Sequence, residues 1–355
     1  MSMKVAVLGG GNTGCVMAAE FSLRGLEVAL FEEKEFWNEH IDGILSSDSC
    51  IEVKGQDLTG LARIHLITDD LALAVREAEV IFVSMVAWRH QMICNRLAAL
   101  LHEGQTVIFS AGNFASICLR RAMGLDHPAV VGEMMGNIFP CRMVGDGEAV
   151  IGGKLVSKKV AAFPACDTDK LVKAVSRVFP CVPGVNVFDT ALNAPNVVVH
   201  LAGSLLNIAN VERNPDFCLY RDGLSPAVVR VIKAVEAEKK QVTDVMGYSF
   251  AVHSDHMERV MTYDQYPELE VFRSLKGPDC AMHRYINEDA ACGDCLILSL
   301  AGKLGIEMPV LQSLVRVASA INGKNYMADG ITMEKLGIPG TTPEEINQYL
   351  LTAEQ

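Results

Sequence analysis

The chain has no basic stripe and no Lys/Arg patch interleaved with aromatics, and its formal net charge is −12. Such a surface repels a phosphate backbone, so nucleic acid is not an expected partner. No apolar run reaches the roughly 18 residues that cross a bilayer, which argues against a membrane span. The first strand-like run starts at residue 3, so no cleaved leader is expected. The eleven cysteines sit mostly inside apolar segments, as reduced buried thiols do, and a cytoplasmic setting is expected. Cys292-Gly-Asp-Cys295 and His253-Ser-Asp-His256 each lack a second pair at zinc-site spacing, so no metal is expected. There is no internal repeat and no low-complexity tract. What remains is a chain of 355 residues, half of them hydrophobic, for which two domains are the natural expectation.

The opening residues carry a nucleotide-binding fingerprint. Met3 to Leu8 reads as a buried strand, and Gly9-Gly10-Gly11-Asn12-Thr13-Gly14 follows at once. Gly9, Gly11 and Gly14 have G-x-G-x-x-G spacing, ahead of a helical stretch from Cys15 to Arg24 and a second strand, Glu27 to Phe31. Gly9 suits a tight turn, Gly11 a close backbone approach to a pyrophosphate, and Gly14 close helix–strand packing. The helix N-terminus, with Asn12 and Thr13, then presents free N–H groups to phosphate. Glu32 stands 18 residues after Gly14, where an acid accepts from adenosine ribose hydroxyls and a 2′-phosphate would meet negative charge. NAD(H) is therefore expected over NADP(H), with Lys34 close enough to soften the preference.

The first half goes on alternating strand and helix. Val80 to Val86 is a nearly continuous apolar run, as in a parallel strand buried on both faces. The fold class expected is α/β: an N-terminal Rossmann-type doubly wound parallel sheet followed by an all-α second domain, the plan of 6-phosphogluconate dehydrogenase-like proteins. The boundary is placed between residues 185 and 186. Helices are expected over Val197 to Asn210, Pro226 to Val245, Ser249 to Met261, Leu296 to Leu304, Met308 to Asn322 and Pro343 to Leu351. Doubly wound sheets bind ligands at the carboxyl ends of their strands. His90 and Asn113 fall at two such ends and are candidates for substrate contact, or for capping the helices that start there.

Asn193-Ala194-Pro195-Asn196-Val197-Val198-Val199-His200 opens the helical domain. Together with Val86-Ala87-Trp88-Arg89-His90, Gly104-Gln105-Thr106-Val107, Gly132-Glu133, Cys141-Arg142 and Arg284-Tyr285-Ile286-Asn287-Glu288-Asp289, it resembles the octopine/nopaline (opine) dehydrogenases over most of the chain. The resemblance implies an NAD(P)H-dependent enzyme that condenses an amino acid with a 2-oxo acid to an imine and reduces the C=N bond. It implies that His200 pairs with Asp289 and that Arg284 contacts a substrate carboxylate. Leu201 stands where the family often has proline, and Ala290-Ala291-Cys292-Gly293 replaces an apolar-proline-x-glycine run, which leaves Glu288 as an alternative acid.

The chemistry agrees with those residue types. Reducing an imine needs a proton donor poised near neutral pH, and histidine is that side chain. A carboxylate on one ring nitrogen fixes the tautomer and stabilises the imidazolium. Arginine supplies a planar bidentate clamp for carboxylates. Two other readings stay open: a ketopantoate-reductase-like or 3-hydroxyacid-type dehydrogenase, and a nucleotide-sensing relative without activity. The former place a lysine on the first helix of the second domain, and here no lysine lies between Lys173 and Lys233. A homodimer is left open.

Overall fold

In the computed structural model, residues 2–354 are described. They divide into two compact units, Met1–Thr190 and Ala191–Gln355. Twelve strands occur among the described residues, all in the first unit: Lys4–Leu8 (β1), Glu27–Phe31 (β2), Cys50–Lys54 (β3), Gly60–Arg63 (β4), Leu66–Thr68 (β5), Val80–Val83 (β6), Thr106–Ser110 (β7), Val130–Met134 (β8), Cys141–Gly145 (β9), Glu148–Ile151 (β10), Lys158–Ala162 (β11) and Cys181–Pro183 (β12). Eight of them form one sheet in the order β12-β11-β8-β7-β6-β1-β2-β5. From β5 to β8 every pairing is parallel, with β1 at the centre between β2 and β6; β11 then runs antiparallel to β8.

The apolar runs explain the layering. Along β1 and β6 successive residues go to opposite faces: Val5, Val7, Val80 and Phe82 join one core, while Ala6, Leu8, Ile81 and Val83 join the other. Helix Asn12–Leu23 covers the first face; helices His90–Ala98 and Ala115–Met123 cover the second. Both faces of the parallel strands are thereby buried. The sequence reading passed over a second sheet, ordered β4-β3-β10-β9, whose strands are short and alternate buried with exposed residues. It shares the core of helix Asn12–Leu23 through Ile51, Val53, Ala62, Met143 and Ala149.

The second unit is helical. Its longest helix, Pro226–Met246, starts on a Ser225 cap and ends at Gly247 in the left-handed region. The helix expected over Val197 to Asn210 is two pieces, Asn196–Leu205 and Ile208–Arg213. The break falls at Asn207, whose side-chain amide donates to the carbonyls of Gly203 (2.8 Å) and Gly223 (2.9 Å). A polar side chain that bonds nearby backbone in this way competes with helix continuation. Likewise Ser249 to His253 is not helical, because Asn193 binds that segment through Ser249 O and Ala251 N–H. Residues Asp289–Asp294 form a single π-helical turn ahead of helix Cys295–Lys303. No helix among the described residues is long and apolar enough to cross a membrane.

Candidate active site

In the sheet unit the glycine turn is built as its spacing requires. Gly9 has φ +118°, and a Cβ there would stand 2.5 Å from Ser84 O. A Cβ on Gly14 would stand 1.7 Å from Gly9 O, so the helix meets the turn only because residue 14 has no side chain. A Cβ on Gly11, by contrast, would meet nothing within 4 Å. The space beside Gly11 is open, and the helix it caps has no side-chain cap. Its first N–H groups are thus available to an anion. Asn12 turns its side chain inward, where Oδ1 accepts from Met143 N–H at 2.8 Å and fixes the turn against β9. Thr13 lies half-buried in the first turn. These features fit the pyrophosphate of a dinucleotide.

Glu32 lies at the carboxyl end of β2, 3% exposed. Its Oε2 accepts from Gly10 N–H at 2.7 Å, and its Oε1 accepts from Glu33 N–H at 2.8 Å and from Arg89 Nη2 at 2.6 Å. Arg89 also donates to Glu33 Oε2 at 3.0 Å and lies over the Phe36 ring; Arg96 pairs with the other oxygen of Glu33. Two acids and two arginines therefore share this corner. The negative charge expected to turn away a 2′-phosphate is balanced by a guanidinium, which the sequence reading did not foresee because Arg89 lies 57 residues further on.

His90 and Asn113 lie in neighbouring turns. His90 begins its helix, 5% exposed, with Nε2 bonded to Met85 O (3.1 Å) and a further bond to the Gly112 backbone. Burial pushes its pKa down to about 4, so the ring is neutral near pH 7. It ties the turn after β6 to the turn after β7. In that second turn Ala111, Asn113 and Phe114 all have positive φ, a strained arrangement for three non-glycine residues. Glu133 on β8 holds it: its carboxylate accepts from Phe114 N–H (3.2 Å), Ser116 N–H (3.0 Å) and Ser116 Oγ (2.5 Å).

In the helical unit the structure brings together residues far apart in sequence. His200 lies mid-helix in Asn196–Leu205, 6% exposed. Its Nδ1 is 2.8 Å from Asp289 Oδ2. Asp289 is the first residue of the π turn, and Gly293 in the same turn would place a Cβ 2.5 Å from Val197 Cγ1. The glycine lets the two helices approach closely enough for the pair to form. Between Glu288 and Asp289, it is Asp289 that meets the imidazole.

Two tyrosines complete the ring's surroundings. Tyr285 stacks on His200 with centroids 3.6 Å apart and planes 11° apart. Tyr220 Oη is 3.1 Å from His200 Nε2. The sequence reading quoted Tyr285 without a role and missed Tyr220, which lies in a four-residue helix, Leu219–Asp222, with no periodicity to mark it. Arg284 begins helix Arg284–Glu288, with its guanidinium carbon 4.9 Å from the Tyr285 ring centre. Burial works against its charge, but Tyr285, Glu288 and Asp289 around it hold the guanidinium above its ordinary pKa. Among the described residues it makes no ion pair. Behind Asp289, Asp294 and Lys239 are both fully buried, and neither side chain has a hydrogen-bond partner among the described residues.

The two lone spacings serve other ends. Cys295 Sγ donates to Tyr326 O at 3.0 Å, and burial pushes the Cys292 thiol up. His253 Nε2 bonds Asn193 O at 2.8 Å, while His256 packs edge-on to Phe272. No group of three or more metal-type side chains is gathered among the described residues.

The chain is similar to known proteins over nearly all of its length. Residues 183–322 match the family described as NAD/NADP octopine/nopaline dehydrogenase, alpha-helical domain. An opine dehydrogenase of Arthrobacter sp. (strain 1C) is 26% identical over 353 residues, covering 96% of this chain and 97% of that one. A solved octopine dehydrogenase, with NADH and L-arginine, superposes with a TM-score of 0.70 at 16% identity, over 100% of this chain and 99% of the other. A yersinopine dehydrogenase with NADP+ gives 0.64 at 15% identity, over 99% and 98%.

Proposed function

The chain belongs to the octopine/nopaline (opine) dehydrogenase family, and on that premise we propose that it condenses an amino acid with a 2-oxo acid and reduces the resulting imine to a secondary amine. It is an NAD(P)-dependent oxidoreductase of the class acting on CH–NH donors. The nicotinamide supplies the hydride. The observation that carries the catalytic reading is the buried contact of His200 Nδ1 with Asp289 Oδ2 at 2.8 Å, between residues 89 positions apart. A carboxylate so placed keeps Nδ1 protonated and stabilises the imidazolium, leaving Nε2 as the nitrogen that exchanges a proton. Arg284, half-buried and without an ion pair, is the cation that would take a substrate carboxylate. His90 and Asn113 are assigned to substrate contact only through the turns they shape. Cytoplasmic location and a homodimer remain part of this reading.

For the cofactor, Gly9, Gly11, Asn12, Thr13 and Gly14 would hold the pyrophosphate, and Glu32 the adenosine ribose. NAD(H) remains the preferred form, because the two acids at this corner, Glu32 and Glu33, face any added phosphate. Arg89 and Arg96 lessen that preference.

The test is turnover with NADH or NADPH, pyruvate and a pool of amino acids, with the product identified by mass. Oxidation of the cofactor only when an amine is present, yielding a secondary amine, is expected; His200→Ala should lower it by about 10²–10⁴-fold while NADH still binds. Oxidation at the same rate without amine would make the chain a 2-oxo acid reductase instead, with the 2-hydroxy acid as product.

A further inference from the structure

His200 is enclosed on three sides. Asp289 takes Nδ1 at 2.8 Å, Tyr285 covers one face at 3.6 Å, and Tyr220 Oη stands 3.1 Å from Nε2. The nitrogen assigned to proton exchange is therefore already bonded to a hydroxyl. A reacting atom can receive its proton only through that hydroxyl, or after the hydroxyl has moved away.

The packing argues against movement. Tyr220 is 8% exposed, and its ring lies 4.4 Å from that of Phe272. Its short helix is closed by Asp222, which accepts from Cys218 N–H at 2.9 Å. The preceding residue, Leu219, fits over Gly203, where a Cβ would stand 2.9 Å from Leu219 Cδ1. Gly277 opposes Leu219 from the other side, where a Cβ would meet its backbone nitrogen at 3.1 Å. A phenol held in this way has a second lone pair and one rotatable O–H. It can accept from Nε2–H while donating onward.

We propose that Tyr220 relays the proton between His200 and the substrate, as the outer member of an Asp289–His200–Tyr220 chain. This rests on the opine dehydrogenase reading of the same site. When hydride adds to the C=N carbon, the π pair moves onto nitrogen. The new N–H bond forms with the Tyr220 proton as the O–H bond breaks, and the phenol oxygen takes the proton of Nε2. The imidazolium becomes neutral imidazole, with Nδ1–H still on Asp289. Oxidation of the secondary amine runs the same transfers backward.

The experiment compares Tyr220→Phe, His200→Ala and the double variant in the full chain. Tyr220→Phe should lower kcat by about 10²-fold. It should leave the KM of both substrates, NADH binding and Tm near wild type, and it should change the pH profile and solvent isotope effect on kcat. The double variant should be no slower than His200→Ala, since groups acting in series are not additive. Fluorotyrosine at position 220 keeps the packing but acidifies the phenol, and should move the kcat–pH profile toward acid. A wild-type kcat, pH profile and isotope effect in Tyr220→Phe, beside a dead His200→Ala, overturns the relay and leaves the histidine reading standing. Full activity in His200→Ala overturns both.

Discussion

The two units build their sites from different material. The sheet unit uses the main chain: a turn that Gly9 and Gly14 alone can make, an uncapped helix N-terminus and an open space at Gly11. The helical unit uses side chains: an imidazole, a carboxylate, two phenols and a guanidinium, brought from helices up to 89 residues apart. Buried charge is mostly partnered in both units: Glu236 and Glu238 of the helical unit accept backbone N–H groups, and Asp289 meets His200. In the sheet unit Glu32, Glu33, Arg89 and Glu133 all have partners. In the helical unit Lys239 and Asp294 are buried with no hydrogen-bond partner among the described residues. A main-chain site depends on local conformation, and a side-chain site on the packing that carries it.

The sharpest break of that contrast lies within the fingerprint itself. Gly14→Ala forces a Cβ against Gly9 O and should unfold the turn, with NADH affinity lost by more than about 100-fold and a lower Tm even without cofactor. Gly11→Ala has room, so its Tm without cofactor should match wild type while NADH affinity still falls. Isothermal titration and thermal melts on both variants separate turn geometry from ligand approach. Equal melting loss in both would mean that the space at Gly11 is not free.

The next largest effect is expected at the buried charges of the helical unit. Burial lowers the Lys239 pKa to about 8 and raises that of Asp294, each partly offset by the other's charge. Lys239→Met removes the cation whose charge partly offsets the burial of Asp294 and should cost about 1–3 kcal/mol of stability, whereas Lys239→Met with Asp294→Asn should recover most of it. Denaturant unfolding reads both. A double variant no better than the single one would show that the two groups do not answer each other.

The division also explains what could be read from sequence. G-x-G-x-x-G, the acid after β2 and the apolar strands are local patterns, and β2 occupies the residues expected of it. His200, Asp289 and Arg284 came from a resemblance, because nothing local marks a histidine on the apolar helix Asn196–Leu205 as paired. Tyr220, and the pairing of Arg89 with Glu32, escaped for the same reason: the partners are 20 and 57 residues away, and only packing brings them together. The small second sheet escaped because β3 and β10 alternate over too few residues for their period to stand out.

A smaller effect tests whether the helical unit's side chains divide their labour. Arg284→Ala should raise the Michaelis constant of a carboxylate substrate about 10- to 100-fold, as expected for a charged hydrogen bond. Arg284→Lys should not restore it, because lysine has no planar fork. NADH affinity should stay near wild type, since the fingerprint belongs to the other unit. Equal losses of substrate and NADH would mean that helix Arg284–Glu288 had collapsed, and the clamp would be withdrawn.

The smallest effect concerns Glu133, a buried acid in the sheet unit whose pKa is pushed into the physiological range. Burial raises Glu133 to about 7, against the bonds from Ser116 and Phe114 that favour its charged form. The ordinary glutamate value is about 4.3. Between those two values the folded chain binds a proton that the unfolded chain has released. Stability from this group is therefore present at acid pH and is lost as pH rises toward about 7, with no further change above it. Glu133→Gln keeps the shape without the titration. It places an amide NH₂ near the Phe114 or Ser116 N–H and so lowers Tm by a constant amount, but it should remove the slope. Melting curves at pH 5, 6, 7 and 8 should show the gap between wild type and variant narrowing by a few degrees. Parallel curves would mean that the three bonds keep Glu133 ionised throughout, and that the strained turn from Ala111 to Phe114 is held by a full charge.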